Sequence, residues 1–339
     1  MESFLRRKKI YISWKTYFID AMGAMAFGLF ASLLVGTILN TIGQQFNIAF
    51  LTEELWPVAQ QATGAAIAVA IAHSLKAPPL VLFSSTVVGV AGNKLGGPIG
   101  TFIATIIAVE FGKLVSKETK IDIVITPMVT VLMGVIVATF IGPPIDYMMV
   151  SLGEFIMYAT TKQPLVMGII VSVVMGMILT LPISSAALCM MLSLGGLAGG
   201  AATAGCTAQM IGFAIISWKD NGVEGLVSQG IGTSMLQVPN IIKNWKIWIP
   251  PTLASAITGP LSTIIFKMEN TPLGAGMGTC GFVGQIETWN AMKDLFSTKY
   301  IFMSMGLLHI LLPAILSFII YKLMYNKGWI KDGDLKLQQ

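Results

Sequence analysis

Charge is scarce in this sequence. Only 11% of its 339 residues are Asp, Glu, Lys or Arg, against about 25% in an ordinary soluble protein. So little charge could not coat a soluble globule, which excludes a cytosolic catalyst and a disordered scaffold. Histidine is scarcer still, at two residues. The three cysteines, Cys189, Cys206 and Cys280, sit in Gly/Ala-rich apolar sequence with no CxxC spacing and no Cys/His cluster. That excludes a disulfide framework and a metal centre and leaves them as small packing residues. No Walker A loop, GxSxG elbow or HExxH pair occurs, and no row of acidic residues marks a cation filter. A primary pump is excluded within these residues, no cofactor is implied, and catalysis is not the expected activity.

What is present is apolar. Hydrophobic residues make up 55% of the chain, enough for at most about ten spans of about 20 residues each. The expected fold is therefore an all-α polytopic membrane protein of about 8–10 transmembrane helices. Basic residues cluster at both ends: Arg6, Arg7, Lys8, Lys9 and Lys15 at the start, and Lys322, Lys327, Lys331 and Lys336 at the finish. Basic flanks beside apolar spans predict a multi-pass protein of the cell membrane with both termini cytoplasmic and an even number of crossings. They carry no aromatic platform or recognition fold, so nucleic acid is not an expected partner. The run from Ala21 to Ile42 is too long for the core of a secretory signal. The expected organisation is a basic tail over 1–15, one transmembrane domain over 16–325 and a cytoplasmic tail over 326–339.

Spans are expected at about 18–41, 57–75, 165–182, 185–217, 249–267 and 300–324. Glu53 and Glu54 fall in the loop after the first span. The apolar piece 80–92 is too short to cross a hydrocarbon core of about 30 Å at about 1.5 Å per residue, and reads as a half-helix or re-entrant segment. Gly96-Gly97-Pro98 then opens a helix closed by Lys113, Lys117 and Lys120. Pro127 and Gly142-Pro143-Pro144 predict a kinked or interrupted helix over 123–150. Asp20 and Asp146 fall near span ends. A degenerate internal repeat is suggested by Pro98-Ile99-Gly100-Thr101, Gly230-Ile231-Gly232-Thr233 and Gly276-Met277-Gly278-Thr279, an arrangement that fits transporter architecture.

Irregular backbone in hydrocarbon survives only where protein buries it or water reaches it. Gly/Pro-broken apolar stretches at 77–101, 193–210 and 271–292 thus point to a polar cavity, with 193–210 better read as helix packing. Within 271–292, the knot Gln285-Ile286-Glu287-Thr288-Trp289-Asn290 combines a carboxylate, amides and an indole. Such groups suit a neutral sugar, the polar ones binding hydroxyls and the aromatic face stacking on C–H. Glu287, Gln285 and Asn290 are the first candidate ligand contacts; His73, Asn93 and Gln209 are the second. His309, with Pro313 one turn later, reads as packed or bonded to a freed carbonyl. Glu110, with Lys113 at i+3, is either an ion pair or a proton-coupling carboxylate.

The stretches GPIGTFIATIIAVEFGKLVSKE (97–118) and GAGMGTCGFVGQIETWNAM (274–292) resemble the EIIC-like membrane proteins of bacterial phosphotransferase systems. Within these, the likeness is to the stand-alone branch that includes the perfringolysin regulator-like proteins, membrane-bound toxin regulators. The resemblance covers about 15–325. It implies a fold of ten or so helices with re-entrant hairpins, a homodimer and an occluded sugar site. Glu287 matches the hairpin glutamate that holds the sugar in sugar EIICs, although the surrounding motif is not the usual Gly-Ile-Thr-Glu-Pro. The partnering histidine of those sites has no counterpart, since His73 lies too early. These residues leave no room for an EIIA or EIIB domain, so a separate EIIB-type protein would have to supply phosphate. The resulting expectation is a permease or binding protein for a sugar or similar polyhydroxylated ligand, working by alternating access. The alternative is a membrane sensor of gene expression that acts through a cytoplasmic regulatory partner.

Overall fold

The computed structural model describes residues 2–160 and 162–337; the side chain of Asp146 lies outside what is described. Helix accounts for nearly all of it, and the described residues contain no strand beyond a single bridge between Gly196 and Asn270. Among the described residues, six helices are long and apolar enough to cross a membrane. They are α1 (Lys15–Phe46), α2 (Phe50–Ser74), α3 (Pro79–Val115), α4 (Asp122–Thr160), α6 (Gly196–Ile216) and α10 (Thr298–Asn326). The shorter apolar helix α5 (Pro164–Thr180) precedes α6. Between α6 and α10 lie α7 (Trp218–Val227), α8 (Ile249–Pro260) and α9 (Val283–Met292).

The chain divides into two compact units, Met1–Met148 and Met149–Gln339. The boundary falls within α4.

In the first unit α3 is a hairpin. Its helical geometry fails at Gly96 and at Gly97, where φ is 59° and ψ is −155°, a region open in practice to glycine alone. Pro98 then starts the second leg, where its missing N–H is harmless. The legs fold back on each other: the Thr101 hydroxyl donates to the Gly89 carbonyl at 3.3 Å, and Val81 packs on Gly112. The short piece expected at 80–92 is thus the first leg of a re-entrant hairpin. Counting two legs for α3 and adding α5 gives eight apolar legs, but the candidate spans among the described residues number six, fewer than the 8–10 expected. The first half of α4 packs on this hairpin, Gly134 against Val88 and Gly112 against Thr130. α4 itself stays helical through Pro127, Pro143 and Pro144, so of the kink or interruption expected over 123–150 the interruption is absent. Glu53 and Glu54 lie in the opening turns of α2 instead of in a loop.

The second unit is built on α6. A Cβ on Gly205 would lie 1.8 Å from the Ser172 carbonyl oxygen of α5, and one on Gly200 would lie 1.9 Å from the Met268 carbonyl oxygen. Backbone therefore touches backbone, as the packing reading of 193–210 anticipated. α6 begins at Gly196, however, and residues expected at the head of a 185–217 span form a separate helix, Ser185–Met191. A left-handed Ser193 and Gly196 separate the two. α8 continues past Pro260 as a widened turn through Ile265.

The three x-[IM]-G-T segments do not share a conformation. Thr101 is helical, Thr233 is extended (φ −162°, ψ 141°) and Thr279 sits near φ −93°, ψ 7°. The second and third touch, through a hydrogen bond from the Thr279 hydroxyl to the Gly230 carbonyl.

The segment after Asn326, expected as a tail, folds onto the second unit. Ile330 and Leu335 are buried in a cluster with Phe213, Ile241 and Ile247. Gln237 and Asn221 both donate to the Leu335 carbonyl, and Asn240 donates to that of Lys336.

Candidate functional site

The site grows from a loop and the helix that follows it. Met268–Asn270 runs over the glycine face of α6, where the Asn270 N–H donates to the Gly196 carbonyl at 3.1 Å. Asn270 is buried and uses its whole amide. Its Nδ2 donates to Thr203 Oγ1 (2.6 Å), the Gly284 carbonyl (3.0 Å) and Thr288 Oγ1 (3.1 Å), and its Oδ1 accepts from the Thr271 N–H. Thr271 caps the short turn Pro272–Ala275 in the manner of an N-cap followed by proline. The chain then passes left-handed residues at Gly278, Gly281 and Phe282 before entering α9.

Glu287 lands on that turn. Its Cβ sits against Gly274, where any side chain would collide with it. The Thr271 hydroxyl donates to Glu287 Oε2 at 2.6 Å, and Asn290 Nδ2 donates to Oε1 at 3.1 Å. A carboxylate has about four acceptor positions, so two donors orient it and leave capacity for ligand hydroxyls. Both Glu287 and Asn290 are half-buried. The arrangement is a fixed acceptor flanked by an amide and a hydroxyl.

The other sequence candidates separate from this pair. Gln285 lies two residues before Glu287, on another side of α9. There its Nε2 lies 3.2 Å from Nδ1 of His309 on α10. His309 is fully buried, and its Nε2 and the Gln285 Oε1 have no hydrogen-bond partner. The reading of His309 as packed or bonded to a freed carbonyl missed this pairing. Trp289 is no free platform: it stacks on Phe302 at 5.3 Å and packs in a cluster around Met292 and Leu308.

Gln209 belongs to a second network in the same unit. Its Oε1 accepts from Trp248 Nε1 (3.0 Å) and Thr180 Oγ1 (3.3 Å), and its Nε2 donates to Thr252 Oγ1 (3.1 Å). Thr180 also meets Ser234 at 2.8 Å. This buried amide clamps α5, α6 and α8 together.

His73, Asn93 and Glu110 lie in the first unit. His73 is exposed near the end of α2 beside apolar residues such as Phe27 and Leu82. Asn93 packs its Cβ against Gly64. Glu110 forms the ion pair its spacing allowed, with both oxygens 3.2 Å from Lys113 Nζ. Lys113 also donates to the Lys9 carbonyl. Asn270 and Thr271, the residues that organise the Glu287 corner, were not singled out from sequence. The Thr271-Pro272 pair carried the signal, as a helix N-cap followed by an N1 proline.

A family model described as Phosphotransferase system, EIIC, matches residues 19–337. No curated protein and no solved structure matches the chain.

Proposed function

The chain belongs to the phosphotransferase system EIIC family, and from that premise we propose that the Glu287 corner holds a sugar or similar polyhydroxylated ligand as it is moved by alternating access. The coarser statement needs no proposal: this is a multi-pass, all-α membrane protein of the sugar-permease type. Supporting the finer reading is one observation above the rest, a half-buried carboxylate held by Thr271 and Asn290 with acceptor capacity left over. It stands on irregular backbone between apolar helices, the setting in which transporters place their sites. Asn270 fixes the loop, so the acceptor is preorganised and ligand binding does not have to order it.

Gln285 and His309 are a second polar pair within the same unit, with a buried acceptor and a buried ring nitrogen unpartnered. In our reading they stand ready for a ligand hydroxyl or a water, since imidazole can both donate and accept. A homodimer and a separate EIIB-type partner remain part of the proposal on family grounds, as does membership of the toxin-regulator-like branch.

The test is a thermal-shift screen of the full chain against sugars and sugar phosphates. It is run in a non-glycosidic detergent, so that the detergent headgroup does not compete. A ligand at about 100 times its dissociation constant should add about 2.7 kcal/mol of stability. A shift in the wild type that vanishes in Glu287→Gln supports the site. A shift that persists in Glu287→Gln refutes the assignment, and no shift across the panel would favour a sensor that keeps the EIIC fold without binding sugar.

A further inference from the structure

The first unit carries a cavity of about 610 Å³ that the sugar reading does not use. That volume is in the range of small-ligand sites. Six cationic residues from three separate stretches line it: Arg7, Lys8 and Lys9 before α1, Lys76 between α2 and α3, and Lys113 and Lys117 at the end of α3. Pro78 and Pro79, the opening turn of α3, form part of its wall. They bring the positive end of that helix to the cavity.

Three of the six cations are already engaged. Arg7 and Lys8 pair with Glu118, at 2.9 and 2.5 Å, and Lys113 pairs with Glu110. Asp122 accepts the Lys117 backbone N–H at 2.7 Å and the Thr126 hydroxyl at 2.6 Å. The ammonium groups of Lys9 and Lys76 have no hydrogen-bond or ion-pair partner among the described residues, that of Lys117 has only the Asp122 carboxylate nearby, beyond ion-pair distance, and all three side chains are exposed.

These same three lysines occupy left-handed backbone, with φ of 55°, 56° and 60°. Glycine or asparagine serves such a helix-ending position at least cost, because a β-carbon is disfavoured there. Topology alone asks for a basic residue somewhere near the membrane face. The helix dipole is answered by a cation anywhere in the last turn. Neither requirement selects lysine at the strained position three times over, around one cavity.

We propose that this cavity is an anion site for a phosphate group, with Lys9, Lys76 and Lys117 as its free cations. A tetrahedral polyanion matches three ammonium-bearing residues around one cavity and a helix N-terminus better than a single carboxylate does. The phosphate belongs either to a lipid headgroup or to a soluble phosphate. The site lies wholly within the first unit and is independent of the Glu287 assignment.

The experiment uses the full chain in neutral detergent and reads thermal stabilisation and apparent affinity. Three probes are titrated: dioleoylphosphatidylglycerol, dioleoylphosphatidylcholine and inorganic phosphate. The wild type should respond to phosphatidylglycerol or to inorganic phosphate and not to phosphatidylcholine. The variant Lys9→Gln/Lys76→Gln/Lys117→Gln should weaken that response at least tenfold. A response to phosphatidylglycerol alone identifies a lipid source, and a response to inorganic phosphate a soluble one. Silence to both anions, or equal affinity in wild type and variant, overturns the proposal. Lys76→Gln alone, at an exposed turn, serves if the triple variant does not purify, and should still weaken binding several-fold. The Lys9→Arg/Lys76→Arg/Lys117→Arg variant should keep it.

Discussion

The two units use their buried hydroxyls and amides differently. In the first, Ser32, Thr37, Thr41, Thr63 and Thr130 donate to carbonyls one turn back in their own helices. Contact between helices is left mainly to small residues, such as Gly28 on Ala66 and Ile67 and Gly64 on Gly89. In the second, the polar groups reach across. Ser172 donates to the Ser255 carbonyl, Ser255 to that of Gly205, and Ser185 to that of Gly276. Gln229, Gln237 and Asn240 form a buried chain that ends on the C-terminal segment. A polar group satisfied within its own helix specifies no neighbour, whereas one satisfied across helices fixes a geometry. The second unit is thus the one able to hold a ligand carboxylate in a defined place, while the first concentrates unpaired positive charge at one end.

The contrast can be broken most forcefully at Gly205. Gly205→Ala drives a methyl into the Ser172 carbonyl and should lower stability by about 3 kcal/mol. Folded yield in detergent and thermal unfolding would both register it, and an unaffected Gly205→Ala would deny the close approach of α5 and α6. Next comes Asn270→Leu, which removes one donor to the Gly284 carbonyl and leaves the Thr271 N–H without its acceptor. A loss of about 2 kcal/mol is expected, together with weaker ligand binding, because the loop under Glu287 loosens.

A finer comparison pairs Ser185→Ala with Thr41→Ala. The first removes a bond between separate elements, to the Gly276 carbonyl, and should cost about 1 kcal/mol; the second removes an intrahelical one and should cost no more than about 0.5 kcal/mol. Equal costs would erase the distinction between the units.

The smallest effect concerns pH. Hydrogen bonds from Lys219 and then Tyr325 hold the Asp332 carboxyl below its usual range. A depressed carboxylate stabilises the fold above its unfolded pKa, and that contribution is lost as pH falls through the folded value. Hydrogen exchange over 328–337 should therefore accelerate, relative to the intrinsic rate, on going from neutral to acid pH. Asp332→Asn should abolish that pH dependence.

Much of this architecture was legible from the chain. Low charge and long apolar runs led directly to a helical membrane protein, and Gly96-Gly97-Pro98 marked the opening of a helix, which it is; that the same residues reverse the chain after Leu95 shows only in the fold. Glu110 and Lys113 paired as i,i+3 spacing allows. The misses share one cause, which is that packing across the fold overrode local signals. Pro143 and Pro144 were expected to kink or interrupt α4, and the helix runs through them although each removes a helical donor. The basic segment after Asn326 was expected as a cytoplasmic tail, and its Ile330 and Leu335 lie in a hydrophobic cluster with residues about 80 to 120 positions earlier. The polar knot 285–290 was recognised as a group, but a helix sends Gln285 and Glu287 to different neighbours. Asn270 could not be weighted in advance, since its importance lies in four partners that only the fold brings together.

The central claim is that the ligand carboxylate belongs to the second unit, and it is tested most directly by calorimetric titration of one sugar from the thermal-shift screen. Wild type, Glu287→Gln and Glu110→Gln would be titrated side by side, the last removing a half-buried carboxylate of the first unit. The account predicts at least a tenfold rise in Kd for Glu287→Gln and an unchanged Kd for Glu110→Gln. An unchanged Kd in Glu287→Gln, with binding lost in Glu110→Gln, would contradict it and move the site to the first unit.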